Sequence, residues 1–166
     1  ASNWGNLGYG YGYAQAQDNL CTMADSFLTY RGERSQYLGG DALAVNKSTI
    51  GRPVNLDSDF FFRHVVSDDV LDSLAAAQSE DMRKLVSGFV AGYNRYVRDL
   101  PGSAGAHAAC RGQAWVKPIS ERDLLRRAYA ANLAAGYSNF VPQIATGAPA
   151  AAAQGQRAQQ SEGTLT

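Results

Sequence analysis

The sequence predicts a mostly helical chain of five or six helices. Apolar residues recur at three- and four-residue spacing in several separate stretches, which is the signature of amphipathic helices. Ser, Asp and Asn stand ahead of several of these stretches, where helix N-caps are favoured. No alternating polar–apolar run longer than a few residues interrupts the pattern, so no strand is expected.

The chain opens with the Gly/Tyr-rich segment Asn6–Tyr13 and then acquires a helical stripe at Leu20, Met23, Ala24, Phe27 and Leu28. Asp18 or Asn19 can cap this helix, or it can run in from Tyr11, and Gly39-Gly40 is its expected stop. Asp41 to Asp57 is polar and carries Gly51 and Pro53, which reads as a loop. Ser58 and Ser67 each head a short helix. Ser79 caps the strongest one, whose stripe runs through Met82, Leu85, Val86, Phe89, Val90, Tyr93 and Val97 and ends at Pro101-Gly102. Gly88 and Gly92 weaken this helix by up to about 1 kcal/mol each relative to Ala, so they imply close approach of another element. Ser120 and Asp123 form a capping box with Asp in the place of Glu or Gln, and the helix they start is expected to reach about Asn139. Residues 1–144 thus read as one helical domain. The Ala/Gln/Gly-rich segment 145–166 reads as a flexible tail or spacer.

Bulk properties narrow the function. Apolar residues make up 45% of the 166, enough to bury a core, and Lys plus Arg balances Asp plus Glu at 15 each. A formal charge of zero argues against electrostatic capture of nucleic acid or an anionic membrane. No stretch approaches the roughly 20 apolar residues of a membrane span, and no signal peptide is visible. Cys21 and Cys110 are too few for a four-ligand zinc site. The choice between two buried thiols and one disulfide stays open on the residues alone. A bridge would close a loop of about 90 residues, worth about 4–5 kcal/mol in the chain-entropy model.

The inventory of reactive groups is thin. His64 follows three phenylalanines and His107 lies in a Gly/Ala loop. Neither stands in a nucleophile motif, and both read as structural. Arg31, Glu33 and Arg34 read as ion pairs holding the next loop in preference to a binding site. Gly8, Gly10 and Gly12 follow no apolar strand and lead to no Lys-Ser/Thr, so they do not form a phosphate loop. They read as a close-packing surface for something outside the chain. The last helix carries Ala128, Ala130, Ala131, Ala134, Ala135 and Gly136. Small residues mark either tight helix packing or space left for a ligand.

The blocks "LGYGYGYAQAQDNLC", "RGERSQYLG", "LVSGFVAGYNRYV" and "WVKPISERDLLRRAYAANLAAG", with the loop cysteine before the last, occur in an order that resembles the α subunits of penicillin-amidase-like acylases. These are N-terminal-nucleophile hydrolases. The resemblance runs from about Asn6 to Phe140 and is nearest to the acyl-homoserine lactone and aculeacin-type lipopeptide acylases. The family's preceding Gly-Val-Pro-His-Ile-like strand is not in the chain, which begins just after that point, and the tail from Ala145 carries no family pattern and resembles the spacer near a processing site.

The resemblance implies an αββα enzyme cut autoproteolytically into a small α chain and a large β chain, with the sheets mainly in β. The nucleophile, usually Ser, is then the first residue of β, so no catalytic residue is expected in this chain. By the same resemblance Ala131, Asn132, Ala135 and Gly136 line the acyl pocket, with Leu133, Tyr137 and Phe140 nearby. Cys21 and Cys110 pair as a disulfide, and the enzyme is periplasmic or secreted. Expected substrates are acyl amides: acyl-homoserine lactones, as in quorum quenching, then lipopeptides and β-lactams. A phenylacetyl-selective penicillin acylase subunit and a non-catalytic helical partner subunit are the alternative readings. No cofactor is expected; a structural calcium, present in some relatives, is the one metal left open.

Overall fold

The computed structural model of the protein describes residues 3–44, 52–100, 108–134 and 136–147. Among the described residues the chain forms seven α-helices and no strand, only an isolated antiparallel bridge between Leu43 and Val54. The helices are α1 (Trp4–Tyr30), α2 (Arg34–Leu38), α3 (Asn55–Val65), α4 (Asp68–Ala76), α5 (Glu80–Asp99), α6 (Glu121–Leu133) and α7 (Val141–Ala145), with a 3-10 turn at Tyr137–Phe140 before α7.

The Gly/Tyr segment is helical. Asn3 caps α1 by accepting a hydrogen bond from the Asn6 amide at 2.9 Å, and the helix continues to Tyr30 with one break, at Asn19 (φ −133°, ψ 25°). Asn19 is therefore a kink and not the start. The helix is secured by α5, which lies along it. A Cβ on Gly8 or Gly12 would collide with the backbone of Leu85 or Phe89, and a Cβ on Gly88 or Gly92 with the backbone of Gly5 or Tyr9. Gly88 and Gly92 thus admit a close neighbour, as their cost implied, and the neighbour is the Gly/Tyr helix. The expectation that Gly8 and Gly12 pack on something outside the chain is corrected. Gly10 alone faces open space.

The end of α1 is also corrected. It stops at Tyr30, ahead of Gly39-Gly40, because Gly32 takes the left-handed conformation (φ 66°). The Gly32 amide donates to the Thr29 carbonyl and the Glu33 amide to the Leu28 carbonyl, the paired bonds of a Schellman motif. Glycine is required twice over, since a Cβ here would also meet the Asp59 carbonyl. Helix α3 begins at Asn55, three residues before Ser58. Ser58 is buried inside it, with no hydrogen-bond partner for its hydroxyl among the described residues. Ser67 does stand at the start of α4 but makes no side-chain cap bond, whereas Ser79 accepts from the Met82 amide at 3.2 Å.

Two apolar clusters result. The first joins α1, α5 and the loop before α6 through Leu20, Met23, Phe27, Phe89, Tyr93 and Ile119. Cys21 and Cys110 form a disulfide beside it, with Cα atoms 5.4 Å apart. The second gathers Tyr30, Phe61, Phe62, Leu71, Leu125 and Val141 between α3, α4, α6 and α7. No helix among the described residues is long and apolar enough to cross a membrane. The proposed tail from residue 148 onward lies outside the described residues, as does His107.

Candidate functional site

The helix singled out for its small residues is held at its start by several converging bonds. Ser120 accepts from the Asp123 amide and Asp123 from the Ser120 amide at 2.7 Å, closing the capping box. Asp123 is also the acid of a bidentate pair: Arg31 Nε donates to Oδ1 and Nη2 to Oδ2, both at 2.7 Å. Asn94 of α5 clips the preceding residue, donating to the Ile119 carbonyl at 2.8 Å and accepting from its amide at 2.7 Å. Lys117 pairs with Glu33 at 2.8 Å. The start of α6 is thereby fixed to α1 and α5 together.

The electrostatics follow the geometry. Burial pushes the Asp123 carboxyl up, but the bonds from Arg31 and Ser120 outweigh it and hold the carboxyl below the usual range. Burial likewise opposes the Arg31 charge, and Asp123 more than restores it. Tyr93, within electrostatic reach of both, has its phenol pushed far up by burial, and its hydroxyl has no partner among the described residues.

Arg34 is 2% exposed. It donates to Asp25 at 2.6 Å, Asn55 at 2.8 Å and the Thr29 hydroxyl at 3.0 Å, while its amide donates to Asp59 at 2.8 Å. The Arg-Gly-Glu-Arg turn is therefore a set of ion pairs, as its residue types suggested. Its partners Asp25, Asn55, Asp59 and Asp123 were not legible in advance.

Helix α6 ends at Leu133, not near Asn139. Gly136 (φ −142°, ψ −100°) leaves the helical region, and the Ser138 hydroxyl takes the Leu133 carbonyl at 2.9 Å. Ala131 and Asn132 are exposed on the last turn of α6, and Leu133 turns inward to the second cluster. Gly136 is exposed, with open space where a Cβ would sit. Tyr137 and Phe140 are 66% and 57% exposed. Ala135 lies outside the described residues. Of the small residues, Ala130 is buried while Ala128 and Ala131 are exposed, so tight packing within the chain accounts for only part of the stripe. Neither of two surface concavities, of about 430 and 210 Å³, takes a lining residue from this group. Among the described residues no group of three or more His, Cys, Asp or Glu side chains is placed to hold a metal ion.

The molecule thus presents a firmly anchored helix ending in an uncovered surface of small and aromatic side chains. Comparison with known proteins gives this arrangement a context. The chain is 39% identical over 152 residues to the acyl-homoserine lactone acylase PvdQ of Pseudomonas savastanoi pv. phaseolicola, covering 92% of this chain and 19% of that protein. It is 38% identical over 151 residues to the PvdQ of Pseudomonas syringae pv. syringae, covering 91% and 18%. It is 34% identical over 160 residues to the aculeacin-A acylase of Actinoplanes utahensis, again 92% and 19%. The chain spans about a fifth of the length of these relatives. The penicillin amidase pattern itself matches residues 1–162, so the likeness extends through most of the tail that carried no legible pattern. With nearly its whole length matched, the chain belongs to the penicillin amidase family.

Proposed function

We propose that this chain is the α subunit of a two-chain, periplasmic or secreted amidohydrolase and forms one wall of its acyl pocket. The observation that carries the reading is the family match over residues 1–162, with relatives named as acylases aligned along more than nine-tenths of the chain. In this reading a larger chain from the same precursor supplies the sheets of an αββα fold and an N-terminal Ser. The Ser hydroxyl attacks the amide carbonyl, its own α-amino group takes the proton, and donors on the same chain stabilise the oxyanion. The protonated α-amino group passes that proton to the amide nitrogen, the C–N bond breaks and the amine leaves, and water then releases the acid from the acyl-enzyme. This chain contributes shape. Ala131, Ala135 and Gly136 leave the pocket deep, while Asn132, Leu133, Tyr137 and Phe140 border it.

A deep pocket favours medium and long aliphatic acyl amides, such as acyl-homoserine lactones and lipopeptides, over short aromatic ones. Each buried methylene contributes about 0.8 kcal/mol, so four that fit give roughly a hundredfold in kcat/KM if the gain persists in the transition state. In the full two-chain enzyme, Ala131→Phe or Gly136→Phe should shift preference toward shorter chains with chain cleavage and Tm unchanged. Open space at Gly136 and exposure at Ala131 leave room for either ring within this chain. A wild-type enzyme that deacylates a phenylacetyl amide far better than a decanoyl one would overturn the deep-pocket reading.

A further inference from the structure

The larger of the two concavities, about 430 Å³, is lined by Ser35, Leu56, Asp59, Phe60, Arg63 and His64. Its walls come from the start of α2 and one face of α3. Leu56 and Phe60, four residues apart, are 58% and 54% exposed, and the His64 ring lies nearly parallel to Phe60 at 6.0 Å. Together they make an apolar shelf of a kind that water-facing surfaces avoid in contiguous form.

Charge along the same face is unbalanced for an identifiable reason. Asp59 and Arg63 stand four residues apart on α3, the spacing at which opposite charges ordinarily pair. Asp59 is turned away. It is 4% exposed and accepts from the Arg34 amide at 2.8 Å, the Ser35 amide at 2.7 Å and the Ser35 hydroxyl at 2.5 Å. The Arg63 guanidinium is left with no hydrogen bond or ion pair among the described residues. Ser35 has already donated its proton to Asp59. The side-chain donors of the concavity still open to an incoming group are those of Arg63 and His64, and Arg63 calls for an anion.

Resting on the two-chain reading above, we infer that this concavity is a docking socket for a segment of the larger chain that carries a carboxylate beside an apolar side chain. The carboxylate pairs with Arg63, and the apolar side chain covers Leu56 and Phe60. A segment fits better than a small molecule. Sites for small ligands bury most of the ligand's surface, whereas walls from α2 and one face of α3 leave a small molecule largely in water. Relatives of about five times this length supply ample further polypeptide to close the open side.

The test uses the complete two-chain enzyme as wild type, Arg63→Glu and Arg63→Lys. The readout is the urea concentration at which the small chain separates from the large one on size exclusion, at low salt and in 1 M salt. Arg63→Glu should weaken the subunit dissociation constant by about thirtyfold or more, as removal of a desolvated charge partner does, and release the small chain at lower urea. Arg63→Lys should recover most of the loss, and high salt should narrow the difference. Because the Arg63 side chain makes no hydrogen bond or ion pair among the described residues, helicity should change little, an anion in the last turn of α3 being only weakly unfavourable. Identical release of wild type and Arg63→Glu overturns the socket while leaving the two-chain reading intact. The absence of any co-purifying large chain overturns both. Decanoate serves as the probe for a free amphiphilic anion: if it binds wild type but not Arg63→Glu and subunit release is unaltered, the site takes a small molecule and the socket is overturned.

Discussion

The α1–α5 crossing and the start of α6 are secured by opposite means. Along the crossing the protein removes side chains: Gly8, Gly12, Gly88 and Gly92 let two backbones come so close that a single methyl group would collide. At α6 it adds them: Arg31, Asn94, Ser120 and Asp123 reach across from three elements to fix one helix end. The first arrangement gains dispersion contacts over a long line but tolerates no change of size. The second is adjustable in length and sensitive to charge. In a subunit proposed to shape a pocket, the crossing sets the frame, and the junction sets the position of the helix that carries the surface.

The largest expected effect comes from breaking the crossing. Gly12→Val should cost about 4 kcal/mol or more in the full enzyme, because its added atoms overlap the Phe89 backbone, which cannot move aside as a flexible side chain would. Gly10→Ala, on the open side of the same helix, should be neutral or stabilising by up to about 1 kcal/mol. Urea midpoints for the two variants check the contrast. Equal destabilisation would mean that helix propensity, and not close approach, governs the segment.

Replacing Cys21 and Cys110 by Ala together should rank next, at about 2–4 kcal/mol, since the bridge joins residues 89 apart beside the first cluster. A free-thiol assay on denatured, unreduced protein should find none, and two reactive thiols would contradict the pairing.

The junction should yield a smaller loss and a distinct pH signature. Arg31→Ala leaves the mostly buried Asp123 carboxylate with only its Ser120 bonds and the longer contact to Arg126 at 3.7 Å, and should cost about 1–3 kcal/mol. Because the folded carboxyl sits below its ordinary value of about 3.9, the stabilisation from the pair is fully present above that value. It is lost as pH falls through the lowered folded value. Wild type and Arg31→Ala should therefore differ by a constant amount well above the carboxyl's value in the variant, which burial raises once Arg31 is gone, and converge as pH falls from there to the lowered wild-type value. A gap that does not narrow as pH falls to about 2 would show that Asp123 does not carry the effect.

The same contrast explains what the sequence could and could not reveal. The body of α5, the Ser79 cap and the Ser120–Asp123 box were legible because each rests on residues near one another in sequence. The first turns of α1, ahead of Tyr11, were not. Glycine is a poor helix former, and only the matching glycines some eighty residues later make those turns helical. Gly39-Gly40 looked like the stronger stop, yet Gly32 ends the helix first because its position against α3 demands glycine. Ser58 had the chemistry of a cap, but the helix begins earlier, where the Asn55 amide bonds the Ala42 carbonyl. At the site, Ala131 and Gly136 were legible as small residues, but in sequence Gly136 reads as part of the small-residue stripe and not as the glycine past which the helix does not continue. In the two-chain reading proposed above, the second wall of the pocket would lie on the larger chain and so outside this sequence.

The central claim, that this chain completes an acylase whose nucleophile is carried by a second chain, is tested most directly by purifying the protein expressed from its complete gene. Intact-mass and N-terminal analysis should find this chain with a co-purifying larger one whose first residue is Ser, and the pair should release decanoate from a decanoyl amide. A large chain beginning with a residue that has no nucleophilic side chain, or active protein containing no second chain, would contradict the account.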